Sequence, residues 1–336
     1  MLNTILAGKG VMYIAPAFDK SVDEVVIPDK RMICPQFTRL KLGSNCRYNC
    51  DWSFLKLTNR TLHPFITVRS EYKKIMKQIR KRVAGHQIPV MFNGGELIDS
   101  LSLEHLTGAA KYFIPRFGRM ENARLFMLTK AHRVNPIINL KHCEHTILAW
   151  SINAPEVSKK FEIGAPSFKN RLIAARRVQE AGYPLRLRLD PIVPIQGWKR
   201  AYRETIEEVF DHVSPERITL GTLRFEKGFY NIRNSIFTTG KDLTRLVDKM
   251  KPMFPPKIFP GSDRPKVGKY SFSEGERIRI FDYVINEIQK RSVCEISLCK
   301  ESAQVWNELS LDLHHCKCVC QLTYADMGPN EDGNLI

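Results

Sequence analysis

The chain has 336 residues, 43% of them apolar, which suits one core domain of about 200 residues with additions at its ends. No run approaches the roughly 18–20 apolar residues of a membrane span, and residues 1–16 lack the pattern of a secretory signal, so we expect a soluble cytoplasmic protein. The net charge of +17 favours a nucleic-acid partner; the alternative interpretation of this charge is a well-solvated surface with no such partner.

Segments with strand-like and helix-like patterns alternate from residue 38 onward. The predicted strands cover residues 38–42, 89–92, 124–130, 145–153, 185–190 and 217–225, and the predicted helices cover residues 72–83, 101–113, 167–181 and 201–212. About six such units predict an α/β fold, a partial (β/α)6 TIM-type barrel with a parallel sheet inside its helices. Functional groups of such barrels gather at the carboxyl ends of the strands.

The predicted strand 185–190 alternates leucine with polar residues. Three leucines share one face, and Arg186, Arg188 and Asp190 share the other. We expect the leucines to pack under helices and the polar side chains to line the substrate side of the barrel. A solvated edge strand is the alternative.

Three segments are predicted along the chain. They are an N-terminal extension over residues 1–35, the barrel over residues 36–230, and a helical, cysteine-rich extension over residues 231–336. Within the last segment, Ser273 and Glu276 have the spacing of a capping box before a helix at residues 277–290.

Nine cysteines, an odd number, argue against a disulfide framework and favour metal or iron–sulfur ligation. The first group follows the first predicted strand, where Cys46, Cys50 and Ser53 have the spacing Cys-x3-Cys-x2-Ser, with Trp52 and Phe54 on either side of the serine. By themselves, two cysteines at this spacing are equally typical of buried thiols.

A second motif follows the second predicted strand, where Gly94 and Gly95 precede Glu96. Glycines allow the backbone to approach a ligand closely. Together the two motifs resemble those of radical S-adenosylmethionine (SAM) proteins, whose loop is Cys-x3-Cys-x2-Cys. Further segments are similar to the spore photoproduct lyase family, at residues 95–107, 129–130, 150–153, 168–183, 190–194, 197–198, 223–225 and 268–270.

The resemblance implies a [4Fe–4S] cluster with one iron open to SAM, an electron donor such as flavodoxin or ferredoxin, and a 5′-deoxyadenosyl radical. Radical hydrogen abstraction then reverses a methylene-bridged thymine dimer in DNA. The implied cluster residues are Cys46, Cys50 and Ser53. The implied SAM-binding residues are Trp52, Phe54, Gly94, Gly95, Glu96, Lys130, Ser151 and Asn153.

Three departures separate this chain from the family pattern. Ser53 stands where the third cluster cysteine is expected, which is typical either of an inactivated form or of a natural protein with lost or changed chemistry. Glu96 stands where the family has a hydrogen-donating cysteine. Trp52 and Phe54 replace tyrosines beside the cluster loop.

The C-terminal extension carries the second group of cysteines. Cys299, Cys316, Cys318 and Cys320, with Cys294 and the pair at 314–315 nearby, predict an auxiliary iron–sulfur cluster or a zinc site, and reduced thiols in a tail are the alternative.

Two other functions compete with the lyase-like one. Glu96 in the donor position favours a radical SAM enzyme that modifies another substrate, such as a nucleobase or a peptide. Ser53 favours a catalytically inactive nucleic-acid-binding protein.

Overall fold

The computed structural model describes residues 2–25, 31–34, 37–58, 63–239, 241–256, 258 and 268–311. Among these residues, no helix is long and apolar enough to cross a membrane.

An eight-stranded sheet forms the centre of the fold. Its strands are β1 Val22–Val25, β2 Phe37–Leu40, β3 Val90–Asn93, β4 Ala123–Thr129, β5 Thr146–Ser151, β6 Leu185–Ile192, β7 Arg217–Thr222 and β8 Glu295–Leu298. They lie in the order β8-β7-β6-β5-β4-β3-β2-β1, and the first and last strands are not paired with each other. All neighbours from β2 to β8 are parallel, while β1 is antiparallel to β2. The predicted partial barrel is therefore confirmed.

Five helices of nine or more residues accompany this sheet in chain order. They are α1 Tyr72–Val83, α2 Ala109–Phe117, α3 Phe168–Glu180, α4 Trp198–His212 and α5 Glu274–Gln289. A further helix, Lys227–Ile236, directly follows the short strand Arg224–Glu226, and the shorter helices are Leu2–Gly8, Leu55–Thr58, Glu104–Thr107, Pro155–Phe161, Lys241–Val247 and Ala303–Glu308.

Several small sheets surround the main one. One joins Met12–Ala15, Ile66–Arg69 and Gly43–Ser44, and another joins Arg224–Glu226, Lys269–Ser271 and Lys251–Pro252. Two-residue strands pair Asn49–Cys50 with Glu162–Ile163, and Met32–Ile33 with Glu301–Ser302.

The helices form where apolar spacing and capping agree. In α1, Ile75, Ile79 and Val83 recur every four residues and are buried. The predicted N-cap of α5 is confirmed, since Ser273 Oγ accepts a hydrogen bond from the Glu276 amide at 3.3 Å.

Two predicted elements are divided in the structure. The predicted helix 101–113 is instead two helices, because Gly108 between them has φ +59, a left-handed conformation that ends a helix. The predicted strand 217–225 is likewise split, and its second part, Arg224–Glu226, belongs to a separate antiparallel sheet.

The main sheet extends beyond the predicted barrel segment. Strand β1 comes from the predicted N-terminal extension, and β8 comes from the predicted C-terminal extension. Because β8 runs parallel to β7, residues 299 and 300 lie at the same edge as the carboxyl ends of the barrel strands.

Candidate active site

A cavity of about 380 Å³ lies at the carboxyl ends of the barrel strands. Its wall is built from the loop after β2, the segments that follow β3 to β8, and the small antiparallel sheet. This is the edge at which the strand order predicts functional groups.

All three predicted cluster residues lie on this wall. Cys50 is buried and sits in the short strand that pairs with Glu162, and the Ser53 amide donates to the Cys50 carbonyl at 3.1 Å. Cys46 is half-buried. The loop therefore presents two thiols and one hydroxyl to the same space.

The N-terminal side of this loop is held by Lys9, a residue that sequence reasoning missed. Its ammonium donates to the carbonyl oxygens of Cys46 and Tyr48, the latter at 2.7 Å. Asn45, with φ +65, donates from Nδ2 to the Pro64 carbonyl at 2.7 Å. These contacts shape the loop by satisfying its carbonyl groups.

The C-terminal side is held by a buried ion pair. Lys56 Nζ lies 3.0 Å from Asp51 Oδ1, and the two side chains are 1% and 0% exposed. The Asp51 carboxylate also accepts from the Thr238 amide at 2.7 Å and from Thr239 Oγ1 at 2.6 Å. The pair thus ties the loop to the segment after the helix Lys227–Ile236.

Burial raises the pKa of both thiols. The pKa of Cys50 rises to about 12, with the nearby Lys130 acting in the opposite direction, and the pKa of Cys46 is also raised. Without a cation the thiols are therefore protonated at neutral pH, and metal binding would displace their protons. The donor set fits an iron–sulfur cluster at two positions and offers a harder alcohol oxygen at the third.

Only part of the Gly-Gly-Glu motif lies on the cavity wall. Gly95 and Glu96 line the wall, but Gly94, predicted as a SAM contact, does not. A Cβ on Gly95 would lie 2.8 Å from Leu128 Cβ and 2.9 Å from Leu128 N. The close approach of strand β4 therefore requires a glycine at position 95, whether or not a ligand binds there.

Replacing Gly95 with alanine is expected to lower the free energy of unfolding by about 1–3 kcal/mol, because the new methyl group overlaps rigid backbone. Gly94→Ala is the matched control, since its Cβ would meet Leu42 and Phe126 only at 3.7 Å. Urea denaturation of both variants measures the difference. Equal stabilities would show that the β4 contact does not constrain position 95.

Lys130 and Ser151, which were predicted to contact SAM, lie on the wall, and a buried charged network supports them. Lys130 Nζ is 3.5 Å from Glu162 Oε1, and Glu162 is also paired with Arg171, which donates to the Ser151 carbonyl at 3.1 Å. Burial alone would lower the pKa of Lys130, but Glu162 and Cys50 raise it above its ordinary value. The ammonium is thus charged and fixed beside the cysteine loop.

Asn153 is a correction to the predicted SAM contacts. It is 1% exposed and lies off the cavity wall. Its Nδ2 donates to the Pro191 carbonyl at 2.8 Å, and its Oδ1 accepts from the Tyr202 hydroxyl at 2.6 Å. The side chain therefore links β5 to the segment after β6.

The polar face of β6 is only partly on the cavity. Arg188 and Asp190 line the wall, but Arg186, predicted on the substrate side, is fully buried and pairs with Glu216 away from it. Asp190 Oδ2 accepts from Arg188 Nη2 at 2.6 Å and from Arg224 Nη2 at 2.8 Å. Although burial opposes it, this pairing holds the pKa of Asp190 well below its usual range.

Trp52 and Phe54, which were predicted to contact SAM, both line the cavity, and Trp52 packs on Phe161 with ring centroids 5.9 Å apart. Sequence reasoning missed several other polar residues of the same wall, among them Asp99, Thr222, Arg224, Lys269 and Lys300. Asp99, Thr222 and Lys300 lie at or after the carboxyl ends of parallel strands, so strand-end position was the available signal for them. Arg224 and Lys269 lie in the antiparallel sheet with Lys251–Pro252, within segments already noted for their resemblance.

The described part of the second cysteine group does not form a metal site. Cys299 is 2% exposed, and its sulfur accepts hydrogen bonds from Arg188 Nη2 at 2.9 Å and Arg224 Nη2 at 3.1 Å. Within the described ranges, no three His, Cys, Asp or Glu residues are placed to hold a metal ion. Cys316, Cys318 and Cys320, with the histidine pair beside them, lie outside those ranges.

An open parallel barrel whose cysteine loop follows its first parallel strand is the architecture of the radical SAM superfamily. A sequence profile described as spore photoproduct lyase matches residues 37–272, and the chain belongs to that family. The profile ends before β8, so residue 300 lies outside the matched region.

Individual relatives agree with this assignment. Spore photoproduct lyase of Clostridium acetobutylicum is 24% identical over 259 residues, which cover 74% of this chain and 72% of the relative. The Bacillus subtilis lyase is 28% identical over 237 residues, which cover 70% of this chain and 66% of that lyase. A solved spore photoproduct lyase, complexed with dinucleoside spore photoproduct, has a TM-score of 0.73 at 23% identity. The match covers 89% of this chain and 84% of that structure's chain.

Proposed function

We propose that this protein is a radical SAM enzyme of the spore photoproduct lyase type that acts on a DNA or nucleotide substrate, with its activity limited by Ser53. One observation carries the proposal: the cysteine loop, Glu96, Lys130 and Ser151 converge on a single cavity at the carboxyl ends of the strands. A related lyase variant has been solved with bound AdoMet and dinucleoside spore photoproduct, at 24% identity and a TM-score of 0.71.

The roles of the residues follow from their positions. Cys46, Cys50 and Ser53 would hold an iron–sulfur cluster, which when bound supplies the electron for cleavage of SAM. Glu96 offers a carboxylate to the SAM ammonium, while Lys130 and Ser151 offer donors to its polar groups. Gly95 keeps this part of the wall close to β4.

The cations of the cavity wall suit a polyanionic substrate. Arg188, Arg224, Lys269 and Lys300 line it, and the chain carries a net charge of +17. Phosphate neutralisation by such groups dominates nucleic-acid affinity. An electron donor such as flavodoxin or ferredoxin is part of the proposal, because the cluster must be reduced from outside.

Anaerobic reconstitution with iron and sulfide, followed by measurement of 5′-deoxyadenosine from SAM under reduction, tests the proposal. The chain and its Ser53→Cys variant are compared. Turnover in the cysteine form supports the enzyme, and no turnover in either form overturns it in favour of an inactive nucleic-acid-binding protein.

A second candidate is a radical SAM enzyme that modifies a different substrate. Glu96 on the cavity wall favours it, because the family pattern has a hydrogen-donating cysteine at that position. DNA that carries spore photoproduct distinguishes the two in the Ser53→Cys variant. Appearance of two thymines supports the lyase, and 5′-deoxyadenosine without repair supports the second candidate.

An auxiliary iron–sulfur cluster or zinc at Cys316, Cys318 and Cys320 remains part of the proposal. The contacts of Cys299 with two guanidinium groups favour its exclusion from that ligand set. Metal content of a chain shortened after residue 311 would measure how much metal the last residues bind.

A further inference from the structure

A lysine near the start of the chain contacts the cysteine loop without lining the cavity. The Lys9 ammonium donates to the carbonyl oxygens of Cys46 and Tyr48, the latter at 2.7 Å, and lies 3.5 Å from Asn45 Oδ1. Lys9 precedes the region 37–272 that the family profile matches. The family resemblance therefore gives no role to this lysine.

The backbone on both sides of Lys9 is fixed by hydrogen bonds. The Lys9 amide donates to the Ile5 carbonyl at 3.2 Å, where the helix Leu2–Gly8 ends. Two residues further on, the Val11 carbonyl accepts from the Ile66 amide at 3.0 Å, just before the parallel pairing of these two segments begins. The side chain is half-buried, so the ammonium is held at one place beside the loop.

The contacts of Lys9 indicate a charge that no counter-ion neutralises. Three acceptors surround its Nζ, and the charged ammonium is the form of lysine with three N–H donors. Two other lysines near the loop are paired, Lys56 with Asp51 at 3.0 Å and Lys130 with Glu162 at 3.5 Å. Among the described residues, no carboxylate forms an ion pair with Lys9. Lys9 therefore adds a net positive charge beside the loop.

This charge interacts with both thiols of the loop. Burial lowers the pKa of Lys9, whereas Cys46 and Cys50 raise it. The interaction is mutual, because a cation that is stabilised by nearby sulfur also stabilises negative charge on that sulfur. Thiols that bind a metal do so as thiolates, so the attraction is strengthened when the loop is occupied.

We propose that Lys9 is a positioning residue that holds the cysteine loop and raises the reduction potential of the iron–sulfur cluster bound there. The inference rests on the proposed function in taking the loop to bind a cluster. Reduction transfers one electron from the outside donor, a flavodoxin or ferredoxin, and makes the bound cluster one unit more negative without moving a proton. A fixed positive charge stabilises the more negative form, so the donor reduces it more readily.

The expected effect is large enough to measure. Net charge, burial and hydrogen bonding around a cluster set its potential. Removing one unit charge from a partly buried position is expected to change the equilibrium constant for reduction about tenfold, which corresponds to about 59 mV for one electron. A lysine that only supported the shape of the loop would change the amount of cluster bound and leave the potential of the assembled cluster unchanged.

The test is a redox titration of the full chain carrying Ser53→Cys, reconstituted anaerobically and followed by electron paramagnetic resonance without SAM. Lys9→Met is expected to lower the midpoint potential by about 60 mV, because the charge is lost. Lys9→Arg is expected to keep the potential close to that of the parent, because the charge remains. Lys81→Met is the matched control and should cause no shift, since Lys81 is exposed in the last turn of α1.

An unchanged midpoint potential in Lys9→Met, at the iron content of the parent, overturns the inference. If Lys9→Met fails to fold, Lys9→Gln replaces it, because the amide still donates hydrogen bonds but carries no charge. An unchanged potential in that variant has the same meaning.

The titration does not depend on SAM cleavage, so the two proposals fail separately. A shifted potential without formation of 5′-deoxyadenosine overturns the proposed function alone, and turnover with an unshifted potential overturns the role of Lys9 alone. Absence of any cluster from the Ser53→Cys chain overturns both.

Discussion

Replacing Ser53 with cysteine is expected to raise both the iron bound per chain and the yield of 5′-deoxyadenosine from SAM by about tenfold or more. Loss of an outer partner of a metal ligand already costs roughly 10–100-fold in affinity or activity, and a direct ligand should matter no less. Thiolate is the softer ligand that iron–sulfur clusters require. Ser53 already lines the cavity, in a turn where its amide donates a hydrogen bond to the Cys50 carbonyl.

The measurement combines iron and sulfide analysis, the electron paramagnetic resonance spectrum of the reduced cluster, and quantified 5′-deoxyadenosine. Ser53→Ala is the control for the hydroxyl, and it should bind no more iron than the parent chain. If Ser53→Cys binds no additional iron, position 53 is not the third ligand, and another group of the cavity wall must supply it.

The barrel could be predicted from the sequence because each of its strands and helices is specified by a local pattern. Each parallel strand is a short apolar run that is followed by an amphipathic helix, and period and spacing are sufficient to order such units. The same argument placed the cysteine loop and Glu96 after predicted strands, whereas Lys130 and Ser151 were implied by the family resemblance. It failed at Gly108, where a single left-handed residue divides a helical pattern into two helices.

Contacts between distant residues could not be predicted in this way. The carboxylate of Asp51 is bound by the amide of Thr238, 187 residues further along the chain, and Lys9 reaches the loop from the turn after the helix Leu2–Gly8. No periodic pattern encodes such a pairing. The buried positions of Arg186 and Asn153 were missed for a related reason, since alternation gives the face of a strand but not its depth in the barrel.

The reason for a glycine in a motif was also easy to misinterpret from the sequence. The Gly-Gly-Glu motif suggested close approach to a ligand, yet the nearest constraint on Gly95 is the backbone of Leu128. A glycine that is needed for strand packing and a glycine that is needed for ligand contact have the same sequence signature.

The largest loss of stability is expected from Asp51→Ala. This change leaves the Lys56 ammonium in a buried site where the remaining acceptors within the described ranges are the Ile236 carbonyl and the Thr238 hydroxyl, at 3.3 and 3.5 Å. It also removes the acceptor for the Thr238 and Thr239 amides. Breaking a buried ion pair by removing one partner costs about 3–5 kcal/mol, which would be measured as a fall in the free energy of unfolding in urea.

Lys56→Met should cost less, because the Asp51 carboxylate that loses its counter-ion still accepts hydrogen bonds from the amides of Thr238 and Thr239 and from Thr239 Oγ1. The double variant Asp51→Ala/Lys56→Met should be more stable than Asp51→Ala alone, since the orphaned ammonium is gone. Three equally unstable variants would contradict this account and assign the stability to the packing of the loop. Because the pair holds the loop that carries Cys50, the order of stabilities should also be the order of iron retained after reconstitution.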